Sequence, residues 1–149
     1  MGPMIDILEV SKNFAGRKVL DNLSLKIETG TTCVIIGRSG CGKSVLLKHI
    51  MGLLKPESGT ILIEGKDINK LNEKELDALR LRMGMVFQGG ALFDSMTVGE
   101  NVGFGLIERG NVPAQELFDR IESSLNMVGL GGISNLMPSD LSGGMRKRV

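Results

Sequence analysis

One stretch of the sequence has the residue types and the spacing of a loop that binds phosphate. Residues 37–44 read GRSGCGKS and fit the pattern G-x-x-x-x-G-K-[ST]. Glycines let the backbone curl, so that successive N–H groups point at phosphate oxygens beside the positive end of a following helix. Lys43 brings a point charge to the β- and γ-phosphates, and the Ser44 hydroxyl is a suitable ligand for Mg²⁺. This phosphate loop, Gly37–Ser44, predicts that the chain binds a nucleoside triphosphate.

An ordinary glycine-rich turn between a strand and a helix is the alternative interpretation of the phosphate loop. The preceding residues, Thr31–Ile36, form a β-branched run without alternation, which predicts a strand covered on both faces. From Lys43 the apolar residues follow helical spacing, at Leu46, Leu47, Ile50 and Leu54. A buried strand before the loop and an amphipathic helix after it are the context that phosphate binding requires. They favour that interpretation over the plain turn.

A second glycine-rich stretch, LSGGM at residues 141–145, lies near the end of the sequence. Ser142 is placed to cap a helix. With Gly143 and Gly144 it presents a hydroxyl, backbone N–H groups and the positive end of a helix dipole. Ser-Gly-Gly alone is more often a loop or a cap than a ligand site, so its interpretation depends on the rest of the chain.

The remaining sequence predicts mixed α/β structure before residue 90 and helices after it. Alternating or β-branched segments predict strands at Met4–Val10, at Leu23–Ile27, around Ile61 and Ile63, and at Met83–Phe87. Capping pairs predict helices that begin at Asn72 with Glu75 and at Thr97 with Glu100. Another helix is predicted to begin at Pro113 and to end at Gly129. Its apolar face carries Leu117, Ile121, Leu125 and Val128.

Composition limits the remaining function classes. The chain has 149 residues, a formal net charge of +1, two cysteines and one histidine. The charge gives no overall attraction to nucleic acid or to an anionic membrane, and the cysteines and histidine are too few for a disulfide framework or a zinc site. Met1 begins no basic-then-apolar stretch, so we expect no leader, and charges interrupt every apolar run before it reaches the length of a membrane span. We therefore expect a soluble, cytoplasmic domain that reaches a membrane only through a partner.

Several reactive or charged residues have ordinary interpretations. His49 is expected on the surface of the helix after the phosphate loop or packed beside it, and Cys33 in the buried strand before the loop. Cys41 is a small filler at a variable loop position, where a thiol is open to modification. The run Arg146–Arg148 is more typical of the charged face of a helix than of a nucleic-acid contact.

From Ile7 onward the chain resembles an ATPase of the ABC transporter family, through four motifs in the family's order. The phosphate loop is the first, and Gln88 resembles the Q-loop glutamine. Residues 141–145 resemble the LSGGQ signature, with Met145 in place of glutamine. Phe14, with Val19 beyond it, is placed like the aromatic residue that packs on adenine. An aromatic residue after a strand is equally often plain core, so both interpretations of Phe14 remain open.

The resemblance implies an α/β fold. Its parts are a P-loop NTPase core with an N-terminal antiparallel β part and a helical subdomain, without the C-terminal part of the sheet. The core takes residues 1–90 and the helical subdomain residues 91–149. ATP and Mg²⁺ are implied, with Lys43 and Gln88 as catalytic residues and Ser44 and Gln88 as metal ligands. The implied nucleotide-binding residues are Phe14, Val19, Gly37, Arg38, Ser39, Gly40, Cys41, Gly42, Lys43, Ser44, Ser142, Gly143 and Gly144.

The resemblance also implies partners. In this family the signature motif serves the ATP held by another subunit, so a head-to-tail homodimer is expected. Residues 87–102 and Leu141–Arg148 are similar to bacterial ATPases of the Mla/Mce lipid-transport type. Those ATPases lie on the cytoplasmic face of the inner membrane, bound to a permease, and drive lipid movement. We expect a permease to dock on Gly89–Asn101, with no nucleic-acid partner and no direct membrane insertion.

The residues that activate water in this family would lie beyond Val149. ABC ATPases place a strand ending in Asp-Glu after the signature helix, and a histidine later still. The sequence looks truncated before them, so we expect ATP binding without sustained hydrolysis. We also expect poor folding alone, because the neighbours of the strand at Thr31–Ile36 would be missing. The alternatives are a non-catalytic nucleotide-binding module or decayed product, and a soluble ABC ATPase outside transport, which the Mla-like residues disfavour.

Overall fold

The computed structural model describes residues 2–87, 90–110 and 112–149. Its contacts divide the chain into two units, Met1–Gly84 and Met85–Val149. The first unit holds a sheet and the phosphate loop, and the second is helical. The functional division into a nucleotide-binding core of residues 1–90 and a helical subdomain of residues 91–149 stays a prediction.

An antiparallel sheet forms the centre of the first unit. Its strands are β1 (Ile5–Phe14), β2 (Arg17–Ile27), β3 (Ser58–Ile63) and β4 (Lys66–Asp67), in the spatial order β2-β1-β3-β4. Helices α1 (Lys43–Ile50) and α2 (Glu73–Arg80) follow in the same unit, with a 3₁₀ turn at Ile68–Lys70. The sheet and α1 share a hydrophobic core formed by Ile7, Val10, Leu20, Leu46, Ile50, Ile61, Ile63 and Ile68.

The hairpin between β1 and β2 is longer than the sequence pattern predicted. It turns on only two residues, Ala15 and Gly16, whose φ angles are 47° and 78°. Positive φ at both central positions is the geometry of a type I′ turn, which matches the twist of the strands it joins. Pairing therefore continues to Phe14 and Arg17 at the tip of the hairpin.

A close approach between β1 and β3 requires glycine at position 59. In β1, Glu9 has a φ of 50°, and its N–H donates a hydrogen bond to Ser24 Oγ at 3.0 Å. In β3, Gly59 has a φ of 88°. A Cβ at this position would lie 2.5 Å from the carbonyl oxygen of Leu8. Any larger residue would therefore force the two strands apart.

The second unit consists of helices α3 (Val98–Arg109), α4 (Ala114–Met127) and α5 (Gly143–Arg146), with a 3₁₀ turn at Pro138–Asp140. Its buried core contains Val98, Ile121, Leu125, Leu130 and Leu141. Pro113 is the N-cap of α4, as the sequence predicted for the start of that helix. The helix ends at Met127, and Gly129 follows it with a φ of 68°.

Both capping boxes predicted from the sequence are confirmed. Asn72 and Glu75 exchange side-chain and backbone hydrogen bonds at the start of α2. Thr97 and Glu100 do the same at the start of α3. The hydrogen bonds that Thr97 donates to Glu100 lower the pKa of this carboxyl, because they stabilise its charged form.

The predicted strands at Thr31–Ile36 and Met83–Phe87 are wrong. Neither segment forms a strand, and the exposed fractions of Ile36 and Val86 are 90% and 93%. Cys33, expected in a buried strand, is likewise exposed. β-Branched residues favour a strand only where another strand accepts its hydrogen bonds and covers its side chains. No described residue of this chain pairs with either segment.

Replacing Gly59 with alanine should destabilise the fold more than replacing Gly16. Both glycines have positive φ, so both substitutions force an L-residue into the left-handed region at a cost of about 1–2 kcal/mol. Only position 59 also meets the backbone of β1, whereas nothing lies within 4 Å of a Cβ at position 16. We expect Gly59→Ala to lower the free energy of unfolding by at least about 1 kcal/mol more than Gly16→Ala in urea denaturation. Equal losses would contradict the close approach.

Candidate functional site

Lys43, the first residue of α1, is held by the phosphate loop itself. Its Nζ donates hydrogen bonds to the carbonyl oxygens of Gly37, at 2.7 Å, and Arg38, at 2.8 Å. The Sγ atom of Cys41 lies 3.7 Å from the same nitrogen. The ammonium group is therefore fixed against the first half of the loop, while residues 37–41 are exposed. A positive charge held in an exposed glycine loop is suited to bind phosphate.

The last glycine of the phosphate loop packs on the sheet. Gly42 is buried, has a φ of 99° and is the N-cap of α1. A Cβ here would lie 2.9 Å from the carbonyl oxygen of Val19 and 3.1 Å from its Cγ1. Gly40 also has a positive φ, of 75°, but nothing lies within 4 Å of a Cβ there. Position 42 therefore needs glycine for packing, and position 40 needs it only for the turn.

The first turn of α1 is electrostatically suited to an anion. It contains no acidic residue, and the helix dipole places partial positive charge beside Lys43 and Ser44. Ser44 is exposed, so its hydroxyl is available as an oxygen ligand for Mg²⁺ next to bound phosphates. Gln88, the other predicted metal ligand and catalytic residue, lies outside the described residues. The described part of the chain contains no group of three or more His, Cys, Asp or Glu residues that could hold a metal ion.

Phe14 and Val19, the predicted adenine-binding residues, lie on the hairpin beside the phosphate loop. Val19 contacts Gly42, as described above. Phe14 pairs with Arg17, two residues before Val19, a separation of about 7 Å along β2. The Phe14 side chain is 41% exposed and lies outside the core cluster, so the plain-core interpretation of this residue is wrong. Whether it stacks on a base stays a prediction.

The signature stretch caps α5 as predicted. The Ser142 Oγ accepts a hydrogen bond from the Met145 N–H at 3.2 Å. Gly143 and Gly144 are exposed, and nothing lies within 4 Å of a Cβ at Gly143. The hydroxyl of Ser142 and both glycines are thus at the surface of the second unit.

Met145, the departure from the family signature, has a packing role. Its side chain is half-buried and packs against the core cluster of the second unit, which includes Leu125 and Leu141. An apolar side chain is favourable there because it removes apolar surface from water, whereas an amide would need a hydrogen-bond partner.

Two arginines of the basic run Arg146–Arg148 donate hydrogen bonds to backbone carbonyl groups of the second unit. The Arg146 Nε donates to the Leu141 carbonyl at 3.3 Å. Arg148 donates from Nη1 to the Val128 carbonyl at 2.8 Å and from Nε to the Gly144 carbonyl at 3.4 Å. Val128 directly follows α4, so Arg148 places a positive charge at the negative end of that helix.

Asn101 organises the segment predicted to dock a permease. Its Nδ2 donates to the carbonyl oxygens of Phe93, Met96 and Thr97, and its Oδ1 accepts from the Phe93 N–H at 2.7 Å. The Phe93 ring packs on Phe104 of α3, with 4.9 Å between centroids. Residues 93–97 therefore form a turn fixed on α3, and Gly89 lies outside the described residues.

His49 is packed inside the first unit. It is fully buried, and its Nδ1 lies 2.8 Å from the Val45 carbonyl oxygen one turn earlier in α1. Its Nε2 has no hydrogen-bond partner among the described residues.

In the described part of the chain, no helix has the length and apolar character needed to cross a membrane.

A polar cluster beside Phe14 has no signature in the sequence. Glu57, in the turn before β3, binds the backbone N–H and the side-chain amide of Asn13, and Lys12 lies over the Phe14 ring. No local pattern predicts these contacts, because Asn13 and Glu57 are separated by 44 residues.

Known proteins are similar to this chain in sequence and in fold. The family model described as ABC transporter matches residues 20–149. The chain is 43% identical to the probable ribonucleotide transport ATP-binding protein mkl of Mycobacterium leprae, over all of this chain and 43% of that protein. It is 42% identical to the intermembrane phospholipid transport system ATP-binding protein MlaF of Haemophilus influenzae, over 98% of this chain and 55% of that protein.

The fold is similar to a solved structure of an ATP-binding cassette, a dimer in a post-hydrolysis state bound to ADP and Pi. The TM-score is 0.84 at 34% identity, covering 97% of this chain and 66% of that chain. The fold and the phosphate loop define a nucleotide-binding protein of the P-loop class. The chain belongs to the ABC transporter family of ATP-binding proteins, as its motifs predicted. It spans about half the length of the curated relatives it matches.

Introducing the glutamine of the family signature at position 145 should destabilise the second unit. Met145→Gln places an amide where an apolar side chain packs, so we expect the free energy of unfolding to fall by about 1 kcal/mol. Met145→Leu keeps the volume and apolar character and should remain close to the parent. Urea denaturation of the three proteins measures the difference, and a Met145→Gln variant as stable as the parent would refute the packing role.

Proposed function

We propose that this chain binds ATP with Mg²⁺ through the phosphate loop and acts as the ATP-binding part of a lipid transporter. The observation that carries the proposal is the position of Lys43. Its ammonium group is bound by the carbonyls of Gly37 and Arg38 at the start of a helix without acidic residues in its first turn. Since phosphates attract both the ammonium group and the helix N-terminus, this arrangement supports binding of a triphosphate.

Each residue of the loop has a distinct role in the proposal. Lys43 neutralises the β- and γ-phosphates, and the exposed backbone of residues 38–41 donates N–H groups to phosphate oxygens. Gly40 and Gly42 allow the curled backbone. Mg²⁺, when bound, would neutralise phosphate charge, and the Ser44 hydroxyl would be its protein ligand. Phe14 and Val19 would contact the base.

Hydrolysis and dimerisation complete the proposal. ATP hydrolysis requires a second subunit, whose Ser142, Gly143 and Gly144 would contact the ATP bound here. The dimeric cassette with the similar fold supports this arrangement. Gln88 would help to position the attacking water. In this proposal the 149 residues bind ATP, and sustained turnover also requires an Asp-Glu pair of the kind that this family places after the signature helix.

Replacing Lys43 tests nucleotide binding. Lys43→Ala removes the charge at the loop, so we expect the affinity for ATP with Mg²⁺ to fall by about 10- to 100-fold. Lys48→Ala, an exposed lysine of the same helix, is the matched control and should bind as the parent does. Isothermal titration calorimetry measures both. If Lys43→Ala binds ATP as tightly as the parent, the proposed binding site is wrong. If the 149 residues release phosphate in a sustained, Lys43-dependent reaction, the proposal that turnover requires an Asp-Glu pair after the signature helix is wrong.

Lipid transport is the favoured process because residues 87–102 resemble Mla-type ATPases and one relative is a phospholipid transport ATP-binding protein. Ribonucleotide transport is the second candidate, since the mycobacterial relative carries that name. In either case the partner would be a membrane permease, and the protein would lie on the cytoplasmic face of the cell membrane through that partner.

Purification from membranes tests the partner and the cargo. We expect affinity-tagged protein to co-purify with a permease that carries phospholipid, detected by mass spectrometry. Asn101→Ala should reduce the recovered permease several-fold, because it loosens residues 93–97, without changing the affinity for ATP. Glu108→Gln, an exposed change on the same helix, is the control. Recovery of ribonucleotide in place of phospholipid would favour the second candidate, and the absence of any permease would refute the transporter proposal.

A further inference from the structure

Glu57 holds the tip of β1 from the side. Its Oε1 accepts a hydrogen bond from the backbone N–H of Asn13 at 3.2 Å, and its Oε2 accepts from Asn13 Nδ2 at 2.6 Å. The Glu57 N–H in turn donates to the Ser11 carbonyl at 3.0 Å. The two hydrogen bonds from Asn13 lower the pKa of the Glu57 carboxyl, because they stabilise its charged form. Asn13, the residue next to Phe14, is thus bound at two points.

The carboxylate of Glu57 replaces a missing strand neighbour. β3 begins at Ser58, which pairs with Ser11, so the last residues of β1 extend beyond it. The pairing of β1 with β2 is also irregular on either side of Lys12. On the β2 side Asn13 and Phe14 still pair with Lys18 and Arg17, so the hydrogen bonds from Asn13 to Glu57 support this end of β1 on the side where β3 does not reach.

Lys12 joins the same turn to the ring of Phe14. Its Nζ donates to the Lys55 carbonyl at 3.0 Å, lies 4.0 Å from Glu57 Oε1 and lies 5.6 Å from the centroid of the Phe14 ring. The Lys12 side chain is only 19% exposed, although lysine is rarely buried without partners. The ammonium group therefore rests on Phe14, whose ring still has substantial solvent exposure.

We propose that Glu57 is a positioning residue for recognition of the nucleotide base. Through Asn13 and Lys12 it fixes the exposed Phe14 ring at the hairpin tip, near the point where Val19 contacts the phosphate loop. A base joined to phosphates in the loop then stacks on a ring that is already held in place, so little conformational freedom is lost on binding. This inference rests on the proposed binding of a nucleotide at Gly37–Ser44.

The test separates the base from the phosphates. We compare the binding of ATP with that of inorganic tripolyphosphate, which has no base, to the parent and to Glu57→Ala, Glu57→Gln and Phe14→Ala. Glu57→Ala and Phe14→Ala should each weaken ATP about tenfold and leave tripolyphosphate unchanged, because stacking on an aromatic side chain contributes on this scale. Glu57→Gln keeps part of the acceptor capacity and should lose less. Glu28→Gln, another exposed glutamate of the first unit, should bind both probes as the parent does.

Combining the substitutions shows whether Glu57 acts through Phe14. The Glu57→Ala/Phe14→Ala double variant should bind ATP no more weakly than Phe14→Ala alone, since the positioned ring is already absent. An equal loss for ATP and tripolyphosphate would mean that Glu57 only supports the fold, and unchanged ATP binding by Glu57→Ala would also overturn the inference. If the parent binds neither probe, the proposed nucleotide site itself is refuted. If the parent binds both probes and the Glu57 variants bind them equally well, only the role of Glu57 is refuted.

Discussion

Gly42 passes so close to Val19 that no side chain fits between them, and the candidate site depends on this contact. It joins the end of the phosphate loop to β2. Leu46 and Ile50 of α1 lie in the core that the helix shares with the sheet. Because these contacts hold α1 against the sheet, they also fix the orientation of its first turn. Lys43 is the first residue of that turn, and its ammonium group binds the carbonyls of Gly37 and Arg38.

The same hairpin connects the phosphate loop to Phe14. The two-residue turn at Ala15 and Gly16 extends the pairing to the hairpin tip, so Phe14 and Val19 belong to one hairpin. Glu57 and Lys12 then hold the tip from the side of β3. The hairpin would thus support both parts of the site: β2 packs against the loop that binds the phosphates, and β1 carries the ring that contacts the base. In the second unit, Arg148 and Asn101 have a comparable role, because Arg148 binds the Val128 carbonyl at the end of α4 and Asn101 binds carbonyl groups just before α3.

Features that depend on neighbours in the sequence were predictable. The capping boxes at Asn72 and Thr97 and the cap at Ser142 join residues three positions apart, so residue types alone indicate the hydrogen bonds. That Thr31–Ile36 and Met83–Phe87 do not form strands could not be predicted in this way. Their β-branched and apolar residues favour a strand, but the hydrogen bonds must come from another strand, and no described residue supplies them.

The sequence by itself determined the phosphate loop, the helix caps and the family, because each is encoded in residue types at short, fixed spacing. Only the tertiary structure decided that Phe14 is exposed at the hairpin tip, that Met145 packs against a core and that Arg148 binds the end of α4. It also decided that Glu57 supports Asn13 across 44 residues of chain. Burial and long-range hydrogen bonds depend on which distant residues come into contact in the fold, and the spacing of neighbouring residues does not encode those contacts.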